Sequence, residues 1–262
     1  MTSLSTLISQ RWPEVVTFIL VFGRTMGLIV GAPFWGSRTV PTVIRIWVAV
    51  LLSIAIYPLV KVVAMPDTLS VLSLSLDLGG EILLGLGLGW LAQLLFAGVR
   101  LAGQEIEIKS GLGLIQLVDP HEGGTSGVFS AFLEIMAGMI FFSLNGHHLL
   151  IQALASSYNV FPLAGEKFFA RLAAGLINST GEIFAIALRV SAPVLIGLLL
   201  SDVVLGILSR AIPQMNVFMV AQPVQFGFGL LLLTLSLPAL VWFVVRQLPL
   251  MVGIPGGVGL GS

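Results

Sequence analysis

Residues 81–127 read EILLGLGLGWLAQLLFAGVRLAGQEIEIKSGLGLIQLVDPHEGGTSG. From Ile82 to Val99 the stretch is apolar and nearly long enough to cross a membrane, which takes roughly 20 residues. From Arg100 to Ile108 the helix can continue, since Glu105 and Lys109 stand four apart on one face. At Ser110-Gly111-Leu112-Gly113 helical propensity falls away. Asp119-Pro120 then makes a turn, and a glycine-rich tail leads into the next apolar run. Between Arg100 and Gly127 lie seven of the 27 ionisable side chains (12 basic, 12 acidic and three histidines), yet the centre, Leu112 to Val118, is greasy. Irregular apolar backbone is tolerated near a membrane only where protein buries it or where it lines a cavity. The segment therefore reads as a re-entrant or pore-facing loop, with an ordinary surface loop as the alternative.

Composition supports a membrane setting. The chain is 57% hydrophobic and 9% charged, with a mean hydropathy of +1.07; in soluble domains about a quarter of residues are charged. Net charge is zero and pI about 6.8, so nothing points to nucleic acid or to a polybasic surface binder. With no cysteine there can be no disulfide, iron–sulfur cluster or thiolate metal site. No cleavable leader is visible, and the first apolar run is long enough to act as an uncleaved anchor.

The apolar runs 15–33, 42–63, 82–99, 128–144, 183–205 and 224–245 are candidate spanning helices. They are continuous rather than alternating, which excludes strands of a barrel. His147 to Tyr158 reads as a shorter, non-spanning helix, and 166–181 as an amphipathic one. The polar joints are Gly36–Pro41, Pro66–Glu81, Arg100–Gly127, Asn159–Lys167 and Ser209–Asn216. None resembles a linker, so the expectation is one domain, 1–262. Alternating spans would put Arg11, Lys61, Lys167, Arg171 and Arg246 on one side, and Arg38, Arg45, Arg100, Lys109 and Arg210 on the other. That tie leaves the orientation open. Arg24, Glu134, Arg189 and Asp202 fall inside spans, where each costs roughly 2.5–3.5 kcal/mol unless it is paired or shielded.

Enzymatic motifs are missing. No Gly-Lys dipeptide exists for a nucleotide-binding loop. His121-Glu122 begins like a zinc-protease helix, but Thr125 stands where the second histidine belongs. Gly124-Thr125-Ser126-Gly127 falls short of a nucleophile elbow. His147 and His148 are adjacent, about 100° apart on a helix, and cannot chelate one metal alone. The expectation is a non-enzyme with no cofactor and no metal. What the chain does carry is packing chemistry: Gly80, Gly85 and Gly89 give the third helix a small-residue face, with a G-x-x-x-G pair at 85–89 that lets another helix approach.

Several motifs, in order along the chain, resemble one family. They are Ala32-Pro33-Phe34-Trp35-Gly36-Ser37-Arg38 with Val40-Pro41; Gly85-Leu86-Gly87-Leu88-Gly89; Arg100-Leu101-Ala102-Gly103-Gln104; Gly111-Leu112-Gly113 with Val118-Asp119-Pro120; Leu144-Asn145-Gly146-His147; and Leu205 to Phe218, which contains Pro213-Gln214-Met215-Asn216-Val217-Phe218. Together they resemble the FliR family of flagellar type III export-gate proteins and its injectisome relatives (SctT/YscT). The resemblance implies an all-α integral membrane protein of helical hairpins, a FliP-like part joined to a FliQ-like part, with about six long apolar helices plus short ones.

It implies further that the protein sits in the bacterial inner membrane at the flagellar basal body, assembled with several copies of FliP-like and FliQ-like subunits. FlhB-like and FlhA-like export proteins would be neighbours, and unfolded flagellar proteins the substrates. The same resemblance makes the segment from about Ile108 to Gly123 a pore plug, carried by Ile108, Lys109, Ser110, Gly111, Leu112, Gly113, Leu114, Ile115, Asp119 and Pro120. Pro213, Gln214, Asn216, Phe218 and Pro223 would form a partner-contact turn. The chain departs from the family pattern at two places. Relatives usually carry an uncharged residue, often Gln, at the position of Lys109, and commonly read Phe-Pro-Leu-Lys where this chain has Gln222-Pro223-Val224-Gln225. A rival reading, a small-solute secondary transporter, would use Arg24, Glu134, Arg189 and Asp202 as its polar site.

Overall fold

The computed structural model describes residues 4–37, 39–62, 71–111, 127–163, 168–211 and 217–252. Among them the chain is mostly helical, with short turns between helices, and has no strand. The order is α1 (Leu4–Gly31), α2 (Thr42–Ile56) with a 3-10 turn (Tyr57–Leu59), α3 (Val71–Lys109), α4 (Val128–Ser143), α5 (Gly146–Val160), α6 (Phe168–Ala211) and α7 (Val217–Val252). The fold is all-α and of membrane type, as the continuous apolar runs require. Many large apolar side chains remain exposed, among them Val43, Trp47 and Leu51 on α2 and Ile196, Val204 and Ile207 on α6.

Three expected boundaries shift. The joint proposed at Pro66–Glu81 is helical from Val71 onward, because Leu-rich sequence favours the helix and Glu81 finds a buried cation. The amphipathic helix expected at 166–181 and the span expected at 183–205 are one continuous helix, α6. Finally, among the described residues five helices are individually long and apolar enough to cross a membrane, within Arg11–Gly31, Thr42–Leu59, Val71–Lys109, Ile183–Ala211 and Ala221–Gln247, and the bent pair α4–α5 makes up to six. The run at 128–144 yields the 16-residue α4, ~24 Å long by helical rise, short of a hydrocarbon core of roughly 30 Å. It stops where Asn145 takes the left-handed conformation (φ 54), and a sixth crossing would need α4 and α5 together as a broken span.

The chain forms two compact units. The first comprises Met1–Leu94, Gly146–Thr180 and Pro249–Ser262. Its α1–α3 seam is built from glycines spaced four apart: Gly23, Gly27 and Gly31 on α1 and Gly85 and Gly89 on α3. A Cβ on Gly85 would overlap the carbonyl oxygen of Arg24, and one on Gly89 would stand 2.6 Å from the Ala32 nitrogen. The backbones touch. At Gly80, in contrast, a Cβ would meet nothing within 4 Å, so that glycine lies off the seam.

Within the same unit Arg24 is fully buried and satisfied. Its Nε donates to Glu81 Oε2 at 2.5 Å, Nη1 to Ser157 Oγ at 3.0 Å and Nη2 to the Phe161 carbonyl at 3.0 Å. Its guanidinium lies over the Tyr158 ring, 4.1 Å from the centroid. A charge that would be expensive in lipid is thus enclosed by α1, α3 and α5.

The second unit comprises Leu95–Asn145 and Gly181–Leu248. Its core follows helical spacing: Val99, Ala102 and Ile106 on α3; Phe129, Leu133 and Ala137 on α4; Ile186, Val190, Val194 and Leu198 on α6; Leu233, Leu240 and Val244 on α7. Phe96 packs edge-on against Phe141, with centroids 5.6 Å apart.

Candidate functional site

The C-terminal turn of α3 ends as its sequence requires. Ser110 N–H still donates to Ile106 O at 2.8 Å, while Gly111 N–H reaches only the Ile108 carbonyl, at 3.3 Å. Gly111 has φ +80, a left-handed conformation that glycine adopts without steric cost and that closes helices. Ser110 is buried and Ile108 is 66% exposed.

Two residues before Lys109, Glu107 is turned inward and is 2% exposed. Its carboxylate accepts the backbone N–H of Phe129 at 2.9 Å and the hydroxyl of Ser130 at 2.8 Å. The residue opening α4, Gly127, has no side chain to serve as a cap. Glu107 takes that role from another helix, placing negative charge at the positive end of α4. A Cβ on Gly127 would overlap the carboxylate, and one on Gly103 would press on the Ser130 backbone. Gly111 and Gly127 bracket the segment 112–126, so Glu107 fastens together the two arms of its stem.

A second set of contacts ties the stem to α6 and α7. Lys109 Nζ lies 3.6 Å from Asp202 Oδ2, with side chains 46% and 40% exposed. Gln225 donates its Nε2–H to the other oxygen, Asp202 Oδ1. The side chain of Gln222 lies against Gly111, and Phe226 meets Phe129 with centroids 5.8 Å apart. Lys109 and Gln225 therefore meet at one carboxylate.

Of the plug residues named from the sequence, Ile108, Lys109, Ser110 and Gly111 form the stem just described. Leu112, Gly113, Leu114, Ile115, Asp119 and Pro120 lie outside the described residues, as do Pro213, Gln214 and Asn216 of the partner-contact turn. Phe218 falls in the first turn of α7, and Pro223 is exposed one turn further along. The four ionisable residues of the transporter reading have separate surroundings. Arg24 binds Glu81, Glu134 binds Arg100 at 3.1 Å, Asp202 binds Lys109, and Arg189 is exposed. Among the described residues no three His, Asp or Glu side chains are grouped to hold a metal ion.

Sequence reasoning missed Glu107 as the residue holding the stem. The available signal was its spacing: Gly103, Glu107 and Ser110 share one helix face with buried Ala102 and Ile106, and a carboxylate on such a face needs a buried donor.

Comparison with known proteins places the site in context. The family model described as "Bacterial export proteins, family 1" matches residues 15–251. The chain is 33% identical over 224 residues to the flagellar biosynthetic protein FliR of Aquifex aeolicus, covering 86% of each chain. It is 33% identical over 237 residues to that of Bacillus subtilis, covering 88% of this chain and 89% of the relative. The Yop proteins translocation protein T of Yersinia pestis is 28% identical over 226 residues, covering 84% and 85%.

Proposed function

Because the chain belongs to family 1 of the bacterial export proteins, we propose that it is a non-enzymatic subunit of a flagellar type III protein export gate in the bacterial inner membrane. The reading is carried by the 33% identity to flagellar biosynthetic proteins across nearly the full length of both chains. On it, the chain acts as one export-gate domain at the basal body, with a FliP-like and a FliQ-like part. It stands beside several copies of FliP-like and FliQ-like subunits, close to FlhB-like and FlhA-like proteins, and unfolded flagellar proteins pass through. Pro213, Gln214 and Asn216, with Phe218 and Pro223 at the start of α7, and the glycine seam are surfaces and spacers of that assembly.

The segment from Ile108 to Gly123 closes the channel at rest. Its closely held stem supports this role: a plug must be anchored at both arms, and Glu107 supplies the anchor. The transporter reading has no comparable support, because Arg24, Glu134 and Asp202 each bind a different partner and Arg189 is exposed.

Loss of the gene should abolish flagella and secretion of flagellar proteins, and the full chain should restore both. Deleting residues 108–118 should make membranes leak ions; sealed membranes after that deletion would remove the plug role. Failure to copurify with coexpressed FliP-like and FliQ-like proteins would remove the subunit role.

A further inference from the structure

Within the first unit, α1, α2 and α5 leave a cleft of about 80 Å³ between them. Its walls are Leu28 and Ile29 of α1, Val48 and Leu52 of α2, and Leu150 and Ile151 of α5, and almost only apolar atoms face it. Three of these residues belong to the core, since Leu28, Ile29 and Leu150 are 3%, 3% and 4% exposed. An apolar space of this kind stays dry, and while empty its lining forfeits dispersion contacts. It therefore calls for an apolar occupant. At about 80 Å³ it is far below the roughly 300–1,000 Å³ of sites for compact small molecules, and it suits a narrow, flexible chain.

One face of α2 links that cleft to a cation. Arg45, Val48 and Leu52 share the face at helical spacing, with Arg45 ~4.5 Å from the level of Val48 and ~10 Å from that of Leu52 by helical rise. Arg45 Nη2 donates to the Ser37 carbonyl and, at 2.9 Å, to that of Val40, which pins the guanidinium to the turn between α1 and α2. Its Nε is buried without an acceptor, and no carboxylate among the described residues pairs with it. This fixed cation without a counter-charge stands near one end of the candidate span Thr42–Leu59. Trp35 and Trp47 flank it in sequence, and tryptophan gathers where bilayer meets water. Arg45 is thus at the depth of lipid phosphates, and Val48 and Leu52 at the depth of acyl chains.

We propose that this is a binding site for one membrane phospholipid, with its phosphate on Arg45 and a stretch of one acyl chain in the cleft between α1, α2 and α5. An apolar side chain from a neighbouring subunit would fill the cleft as well, but it would leave Arg45 without an anion. A phospholipid satisfies both features at the spacing that α2 sets between them. A guanidinium held by one nitrogen keeps further donors for phosphate oxygens, the pairing for which arginine is best shaped. Bound there, the lipid completes the packing of the first unit and neutralises the cation at the head of α2.

The test uses the full chain, assembled with its export partners, in nanodiscs of phosphatidylethanolamine and phosphatidylglycerol. A trace of phosphatidylglycerol carrying a diazirine on its acyl chain is photolysed, and labelled peptides are read by mass spectrometry. Label is expected on the α2 and α5 peptides that hold Leu52 and Leu150. Leu52→Trp, which fills the cleft, should lower labelling of the α5 peptide several-fold, and Leu52→Phe should lower it less. Arg45→Gln should also lower it several-fold, with Arg45→Lys between Gln and the parent. Copurification of the partners identifies the variants that fold. A diazirine diacylglycerol, which has the chains without the phosphate, should label weakly and equally in the parent and Arg45→Gln. Equal labelling by both lipids overturns the role of Arg45, and α5 labelling indifferent to Leu52→Trp and Leu52→Phe overturns the site. Loss of label in excess inorganic phosphate would make it a site for free phosphate instead. No label on α5 in the assembled complex would give the cleft to a neighbouring subunit's side chain, and the lipid proposal would be wrong.

Discussion

The carboxylate of Glu107, near the end of α3, caps α4 through the backbone N–H of Phe129 at 2.9 Å. It joins the last turn of α3 to the first turn of α4. Removing this acceptor leaves the Phe129 N–H and the Ser130 hydroxyl buried without their partner. Glu107→Ala should destabilise the purified complex by about 1–3 kcal/mol, the cost of unsatisfied buried groups. Glu107→Gln, which retains a carbonyl oxygen, should lose less. Thermal unfolding in detergent checks the order; equal stability of all three proteins would deny Glu107 its role.

The α1–α3 seam discriminates between glycines of one helix. Gly85→Ala places a methyl group against the Arg24 carbonyl and should loosen the seam by about 1–3 kcal/mol, the usual cost of overpacking. Gly80→Ala meets nothing within 4 Å and should be neutral, or stabilising by up to about 1 kcal/mol through helix propensity. Protease resistance of the two variants, measured side by side, should separate them in that order.

Arg24 and Glu81 form a buried pair with 0% and 4% side-chain exposure. Breaking it from one side strands the other charge, at about 3–5 kcal/mol. Arg24→Met should therefore fold poorly, and the Arg24→Met/Glu81→Met double variant should recover part of the loss. Expression level and monodispersity in detergent report both. No recovery in the double variant would assign the loss to the Ser157, Phe161 and Tyr158 contacts instead.

At Gly111 the limiting factor is backbone conformation. With φ at +80, Gly111→Ala should cost about 1–2 kcal/mol. Gly111→Asn should be milder, because Asn tolerates left-handed backbone better than Ala. A leak assay with both variants would reveal whether the stem transmits that strain.

Much of this architecture could be read from local sequence. Continuous apolar runs mark the long helices, Ser110-Gly111 marks the end of α3, and Gly85-x-x-x-Gly89 marks a close approach. What could not be read depends on partners distant in sequence. Asp77 and Glu81 make 66–81 look like a polar joint until Arg24, 57 residues earlier, neutralises one of them. Glu107 looks like a solvated charge until Ser130 is brought beside it. Glu105 and Lys109 have helix-pair spacing, yet Lys109 reaches Asp202 on α6, a choice made by packing.

Arg24 also sets a condition on how the chain is made. It leaves the ribosome 57 residues ahead of Glu81 and 133 ahead of Ser157. At roughly 5–20 residues per second, α1 waits on the order of 3–11 s for its carboxylate, and longer for its hydroxyl. During that interval a bare guanidinium sits in the middle of an otherwise apolar segment. The first helix is thus a poor candidate for independent release into lipid. It should stay with the insertion machinery until the third helix arrives, so that the two enter the bilayer as a neutral pair.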